Sequence, residues 1–126
     1  MAEIAFTSTI TANRVPDFRE LLDEMKRDKT GLIERARDVG YYRERMFLQP
    51  RSDGDSQLIV FLEFDHTKSA QELIDDVVAY ENDFTKWWNP RYIEFLGGPP
   101  SIAETVFAWD DDRSGGVTDQ VDREER

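Results

Sequence analysis

Asp53-Gly54-Asp55-Ser56, followed by Gln57-Leu58-Ile59-Val60-Phe61-Leu62-Glu63-Phe64, is the stretch on which the fold turns. Asp-Gly between apolar runs is a hairpin signal, because glycine accepts the backbone angles a tight turn needs. The run after it is the most apolar in the chain and is rich in strand-forming residues, which predicts a strand at the centre of a sheet or in an interface. On the other side of the turn, Tyr41 to Gln49 is rich in aromatic and long side chains. It reads as the antiparallel partner of the hairpin. Working outward, Glu3 to Ile10 alternates, with Ile4, Phe6, Ser8 and Ile10 on one face and Ala5, Thr7 and Thr9 on the other, and predicts the opening strand. Ile102 to Trp109 alternates again and predicts a closing strand.

Two helices separate these strands. From Pro16, which suits a first helical turn, Phe18, Leu21, Leu22, Met25, Leu32, Ile33 and Ala36 recur at helical spacing to a C-cap at Gly40, with Gly31 as a bend. Ser69 and Glu72 form a capping box for the second, whose apolar face carries Leu73, Ile74, Val77, Val78, Phe84, Trp87 and Trp88. Asn89-Pro90 is expected to break it, with one further turn at Tyr92 to Leu96 before Gly97-Gly98-Pro99-Pro100. The order is β-α-β-β-α-β, an α+β chain of the ferredoxin-like split βαβ kind, with both helices on one sheet face. The other face would carry Thr7, Thr9, Ile59, Phe61 and Phe47 or Met46. It is too apolar for open water, which predicts a homodimer built sheet to sheet. One domain over residues 1–109 and an acidic disordered tail over 110–126 are expected.

Composition limits the function. The chain has 126 residues, a net charge of -11 and no cysteine. Disulfides, thiolate metal sites and a cysteine nucleophile are excluded. So acidic a surface repels nucleic acid and anionic membranes. The opening residues lack the basic and apolar regions of a signal peptide, and no apolar run could span a bilayer, so a cytoplasmic location is expected.

The pattern resembles the dimeric α+β barrel superfamily of antibiotic-biosynthesis-type monooxygenases, sugar mutarotases and small polyketide cyclases. The resemblance covers residues 3–109. It rests on the strand Ile4–Ile10, the helix entry Ala12-Asn13-Arg14-Val15-Pro16-Asp17-Phe18, the hairpin at Asp53-Gly54, and Phe84-Thr85-Lys86-Trp87-Trp88. Within the superfamily the chain looks most like a small uncharacterised family, which implies a fold and no mechanism. The resemblance implies a pocket between sheet and helices for flat organic molecules.

Candidate chemistry is sparse. His66, the single histidine, follows Glu63 and Asp65 at a strand end, where it could act as a general base; the plain alternative is a solvated loop residue. Arg43 and Arg45 share a strand face that Glu63 and Glu104 could oppose, either as an anion- or carbonyl-binding group or as salt bridges. Phe84, Trp87, Trp88, Tyr92 and Phe95 form an aromatic block that is either pocket wall or core. By helical phase, Trp88 falls on the buried stripe and Trp87 at its margin, facing a pocket.

A metal site is not expected with one histidine and no cysteine, nor is haem, because the second helix has no histidine. Two functions are consistent with these residues. One is a cofactor-independent oxygenase, isomerase or cyclase acting on a small aromatic or carbonyl compound. In it Arg45 polarises a carbonyl, His66 or Glu63 moves a proton, and Trp87, Trp88, Tyr92 and Arg43 bind the substrate. The other is a non-catalytic dimer that binds a small ligand or another protein. A cavity holding His66 or Glu63 would favour the enzyme.

Overall fold

The computed structural model describes residues 2–109 and 111; the tail expected over 110–126 otherwise lies outside them. Strands β1 (Ala2–Ile10), β2 (Tyr41–Pro50), β3 (Ser56–Phe64) and β4 (Ser101–Ile102) form one antiparallel sheet in the order β2-β3-β1-β4. The most apolar strand, β3, is paired along its length on both sides, from Ala2↔Phe64 to Ile10↔Ser56 and from Tyr41↔Phe64 to Pro50↔Ser56. The hairpin turns at Gly54, whose φ of 95° is left-handed. The Asp55 carboxylate accepts the Ala12 N–H at 2.9 Å and ties this turn to the end of β1.

Each expected helix is divided in two. The first gives α1 (Val15–Arg27) and α2 (Thr30–Val39). Asp28 breaks it with extended backbone (φ -148°, ψ 104°), and its carboxylate accepts the Thr30 N–H at 3.0 Å. A short acidic side chain that serves the next helix's free amides competes with continuing the first. Gly31 is therefore not the bend. It lies inside α2, where a Cβ would collide with the side chain of Phe84, so it marks a close approach between two helices. Gly40 caps α2 in the left-handed conformation, φ 103°, as expected.

The second gives α3 (Ala70–Ala79) and α4 (Asp83–Phe95). The Ser69–Glu72 capping box forms. The break falls at residues 80–82 rather than at Asn89-Pro90, because Asn82 and Thr85 make a second reciprocal capping box, each side chain accepting the other's backbone N–H at 2.9 Å. Pro90 sits inside α4, so the Lys86 carbonyl lacks its usual donor. One residue on, the Arg91 guanidinium donates to the Trp87 carbonyl at 2.7 Å.

The helices cover one face of the sheet. Ile4, Ile10, Leu58, Val60, Leu62 and Phe64 from the strands meet Phe18, Val39 and Leu73 there. A bulge between Tyr41 and Arg43 leaves Tyr42 62 % exposed and puts Tyr41 on the same face as Glu44, Met46 and Leu48. The opposite face holds Thr7, Thr9, Arg43, Arg45, Ile59, Phe61, Glu63 and Phe47; Met46 points to the helices instead. Among the described residues no element covers this second face.

Of the expected strand Ile102–Trp109 only Ile102 is strand; with Ser101 before it, it pairs with Phe6 and Thr7, and the Ala103 N–H adds a bond to the Ala5 carbonyl at 2.8 Å. Beyond it Val106, Phe107 and Trp109 are exposed, since their alternation finds no sheet partner among the described residues. No helix among these residues is long and apolar enough to cross a membrane.

Candidate functional site

The sheet and α3/α4 do not close completely. Between them lies a cavity of about 420 Å³. Its floor is Phe6, Met46, Val60 and Leu62; Ile74, Val77, Trp88, Tyr92 and Leu96 form the helical wall; Pro100 and Ile102 form its rim. Phe84, Trp88 and Tyr92, spaced four residues apart on α4, stack nearly parallel. Trp88 lies 5.8 Å from Phe84 at 15° and 5.0 Å from Tyr92 at 19°.

One end of this apolar space is charged. Arg35, from α2, is 5 % exposed. Its Nε donates to the Tyr41 hydroxyl at 3.0 Å, its Nη2 lies 3.9 Å from Glu44 Oε1, and its guanidinium sits 5.4 Å over the Phe84 ring. Glu44 Oε1 is closed to solvent and accepts no hydrogen bond. Burial raises the Glu44 carboxyl above its ordinary 4.5, against the opposing pull of Arg35 and Tyr41. Burial, reinforced by the Glu44 charge, pushes the Tyr41 hydroxyl up to about 12 and raises that of Tyr92 as well. A carboxyl set in such a group accepts hydrogen bonds from a bound molecule when ionised and can donate one when protonated.

The residues singled out from sequence divide between this cavity and the outside. Trp88, 3 % exposed, and Tyr92 line it. Trp87 does not; it packs against Phe84 on the outer side, with the Arg91 guanidinium 5.4 Å from its ring. The expected division of labour between the two tryptophans is thus half corrected: Trp88 is buried as its phase requires, yet it is also the one at the cavity. Arg43 and Glu63 pair at 3.5 Å on the open sheet face, with Arg45 exposed beside them. His66 is exposed at the end of β3, its Nδ1 3.9 Å from Asp65. Glu104 is exposed beyond β4. None of His66, Glu63, Arg45 and Arg43 lines the cavity. No group of three or more potential metal ligands occurs among the described residues.

Arg35, Tyr41 and Glu44 escaped the sequence reading. Arg35 stands three residues after Leu32 and four before Val39, on the buried stripe of α2, and Glu44 is in phase with Met46 and Leu48. A charge inside an apolar period was the available signal. No protein-family model matches the chain, and no curated protein is significantly similar to it.

Proposed function

We propose that this chain is a homodimeric small-molecule-binding protein on a ferredoxin-like, dimeric α+β barrel plan, with the cavity between sheet and helices as its ligand site. The observation that carries this is the cavity itself: about 420 Å³ of apolar space with one polar end at Arg35, Tyr41 and Glu44. Small-molecule sites have this size and this mix of apolar wall and few convergent polar groups. The dimer is supported by the open face, where Phe47 is 51 % exposed and Ile59 and Phe61 lie beside it. The acidic balance argues against nucleic acid as the partner.

An enzymatic reading is favoured by one observation, the upward shift of the Glu44 carboxyl in a cleft. In that reading Glu44, rather than His66 or Glu63, moves the proton.

The test is an amide and methyl NMR titration with a panel of neutral one- and two-ring aromatic compounds. Saturable shifts at Met46, Val60, Leu62 and Ile74 are expected, and lost in Val77→Trp, which fills the space. Shifts confined to other surfaces, or none with any compound, would overturn the assignment. Turnover of a bound compound that stops in Glu44→Gln would move the conclusion to the enzyme.

A further inference from the structure

Resting on the reading of the cavity as a ligand site, we propose that its occupant is a neutral molecule with an apolar, ring-sized body and one hydroxyl or N–H group that donates a hydrogen bond to the carboxylate of Glu44.

The polar end decides what the ligand must offer. Arg35 has its Nε committed to the Tyr41 hydroxyl at 3.0 Å and its guanidinium laid over Phe84. Its side chain is only 6 % exposed, whereas that of Glu44 keeps 17 % and is the more open of the pair. The guanidinium is 3.9 Å from Glu44 Oε1, beyond hydrogen-bond reach, and Oε1 accepts no bond, so the acceptor capacity of that oxygen is unspent. An ionised carboxylate only accepts, and a bond to it is stronger than one between neutral groups. The complement is a donor.

Charge narrows the class further. Arg35 and Glu44 sum to zero in apolar surroundings. A ligand anion would face the Glu44 carboxylate, and a ligand cation would add a second positive charge beside Arg35; either leaves net charge where desolvation is costly. A neutral donor leaves the balance untouched. The wall then suits a ring. Trp88 has both faces covered, by Phe84 and by Tyr92, so it turns its edge to the cavity. Ring edges carry the positive end of the aromatic quadrupole and pack against the face of another ring.

The experiment is isothermal titration calorimetry of the full chain near neutral pH with three probes of one body: a naphthol, its methyl ether, and the matching naphthoate. The naphthol should bind at least about tenfold more tightly than the ether, and the naphthoate more weakly than either. Replacing the pair together, Arg35→Met with Glu44→Met, keeps the site neutral and apolar. It should erase the preference for naphthol over the ether. Equal binding of naphthol and ether, tightest binding of the naphthoate, or a naphthol preference that survives the double substitution each overturns the proposed ligand class while the cavity remains a binding site. Failure of all three probes to bind overturns the cavity reading and this proposal with it.

Discussion

The two faces of the sheet carry the same kind of ion pair in different surroundings. On the open face Arg43 and Glu63 lie 3.5 Å apart with side chains 35 % and 26 % exposed. On the covered face Arg35 and Glu44 lie 3.9 Å apart at 6 % and 17 %. Water shares the first pair's field and already solvates its partners, so its net worth is small. The second pair has been taken out of water, and each member now depends on the other. The apolar residues repeat the contrast. Leu58, Val60, Leu62 and Phe64 of β3 are buried under the helices, whereas Ile59 and Phe61, equally apolar, wait on the other side. Strand chemistry alone does not say which face a helix will cover.

The contrast can be broken most directly at the charged pairs. Arg35→Met should cost about 3–5 kcal/mol, because it leaves a buried carboxylate unpaired, and adding Glu44→Met should recover most of that. Arg43→Met should cost under about 1 kcal/mol. Urea unfolding of the four proteins checks this; equal losses at Arg35 and Arg43 would erase the distinction between the faces. Of similar size is the loss at Trp88: truncation to Ala should cost about 3–5 kcal/mol, reduced to the extent that the neighbouring cavity already supplies slack, and should exceed that of Trp87→Ala.

Phe61→Glu sharpens the open side. It should leave the fold of the chain intact by circular dichroism while sedimentation shows a dimer turned to monomer. A wild-type chain that sediments as a monomer at micromolar concentration would remove the dimer from the proposal.

The smallest effect is a slope. Burial raises the folded Glu44 carboxyl above 4.5, so between the unfolded and folded values the folded chain holds the extra proton. Stability from this group therefore falls as pH rises through that window. Glu44→Gln should flatten the decline, read from midpoints of denaturant unfolding upward from pH 4.5. An unchanged slope would place the carboxyl in a wetter setting.

Much of the scaffold was legible because its signals are local. The Asp53-Gly54 turn, the Gly40 cap and the Ser69–Glu72 box each need only a few neighbouring residues, and all formed. The helix breaks were not legible for the opposite reason. Apolar spacing runs on across Asp28 and Asn82, and what stops the helices there is a side chain bonding to backbone. Pro90 misled because a proline can persist inside a helix, with its cost met by packing. At the site, the burial of Trp88 followed from helical phase, but the same phase gave the cavity position to Trp87, and Tyr92 stood out only as part of an aromatic block beyond an expected break. The Tyr41–Glu44 pairing was not legible, because the bulge at Tyr42 shifts the strand's period by one residue, a backbone event that leaves no mark in composition. Arg35 differs in no way, by residue type, from the solvated charges that alternate with the apolar positions of the same helix.

The three tryptophans fall in three environments: Trp88 is 3 % exposed beside the cavity, Trp87 is half-buried on the outer surface of α4, and Trp109 is 74 % exposed past the last strand. The protein thus contains its own set of optical reporters, separated in place and in wetness. Trp109 emits from water as long as nothing packs on the segment that carries it, so its emission would move toward shorter wavelength when a second chain or another surface covers that segment. Trp88, stacked between two rings, would register events in the cavity through quenching without a comparable colour shift. Single-tryptophan versions of the chain therefore separate assembly from occupancy without any added label.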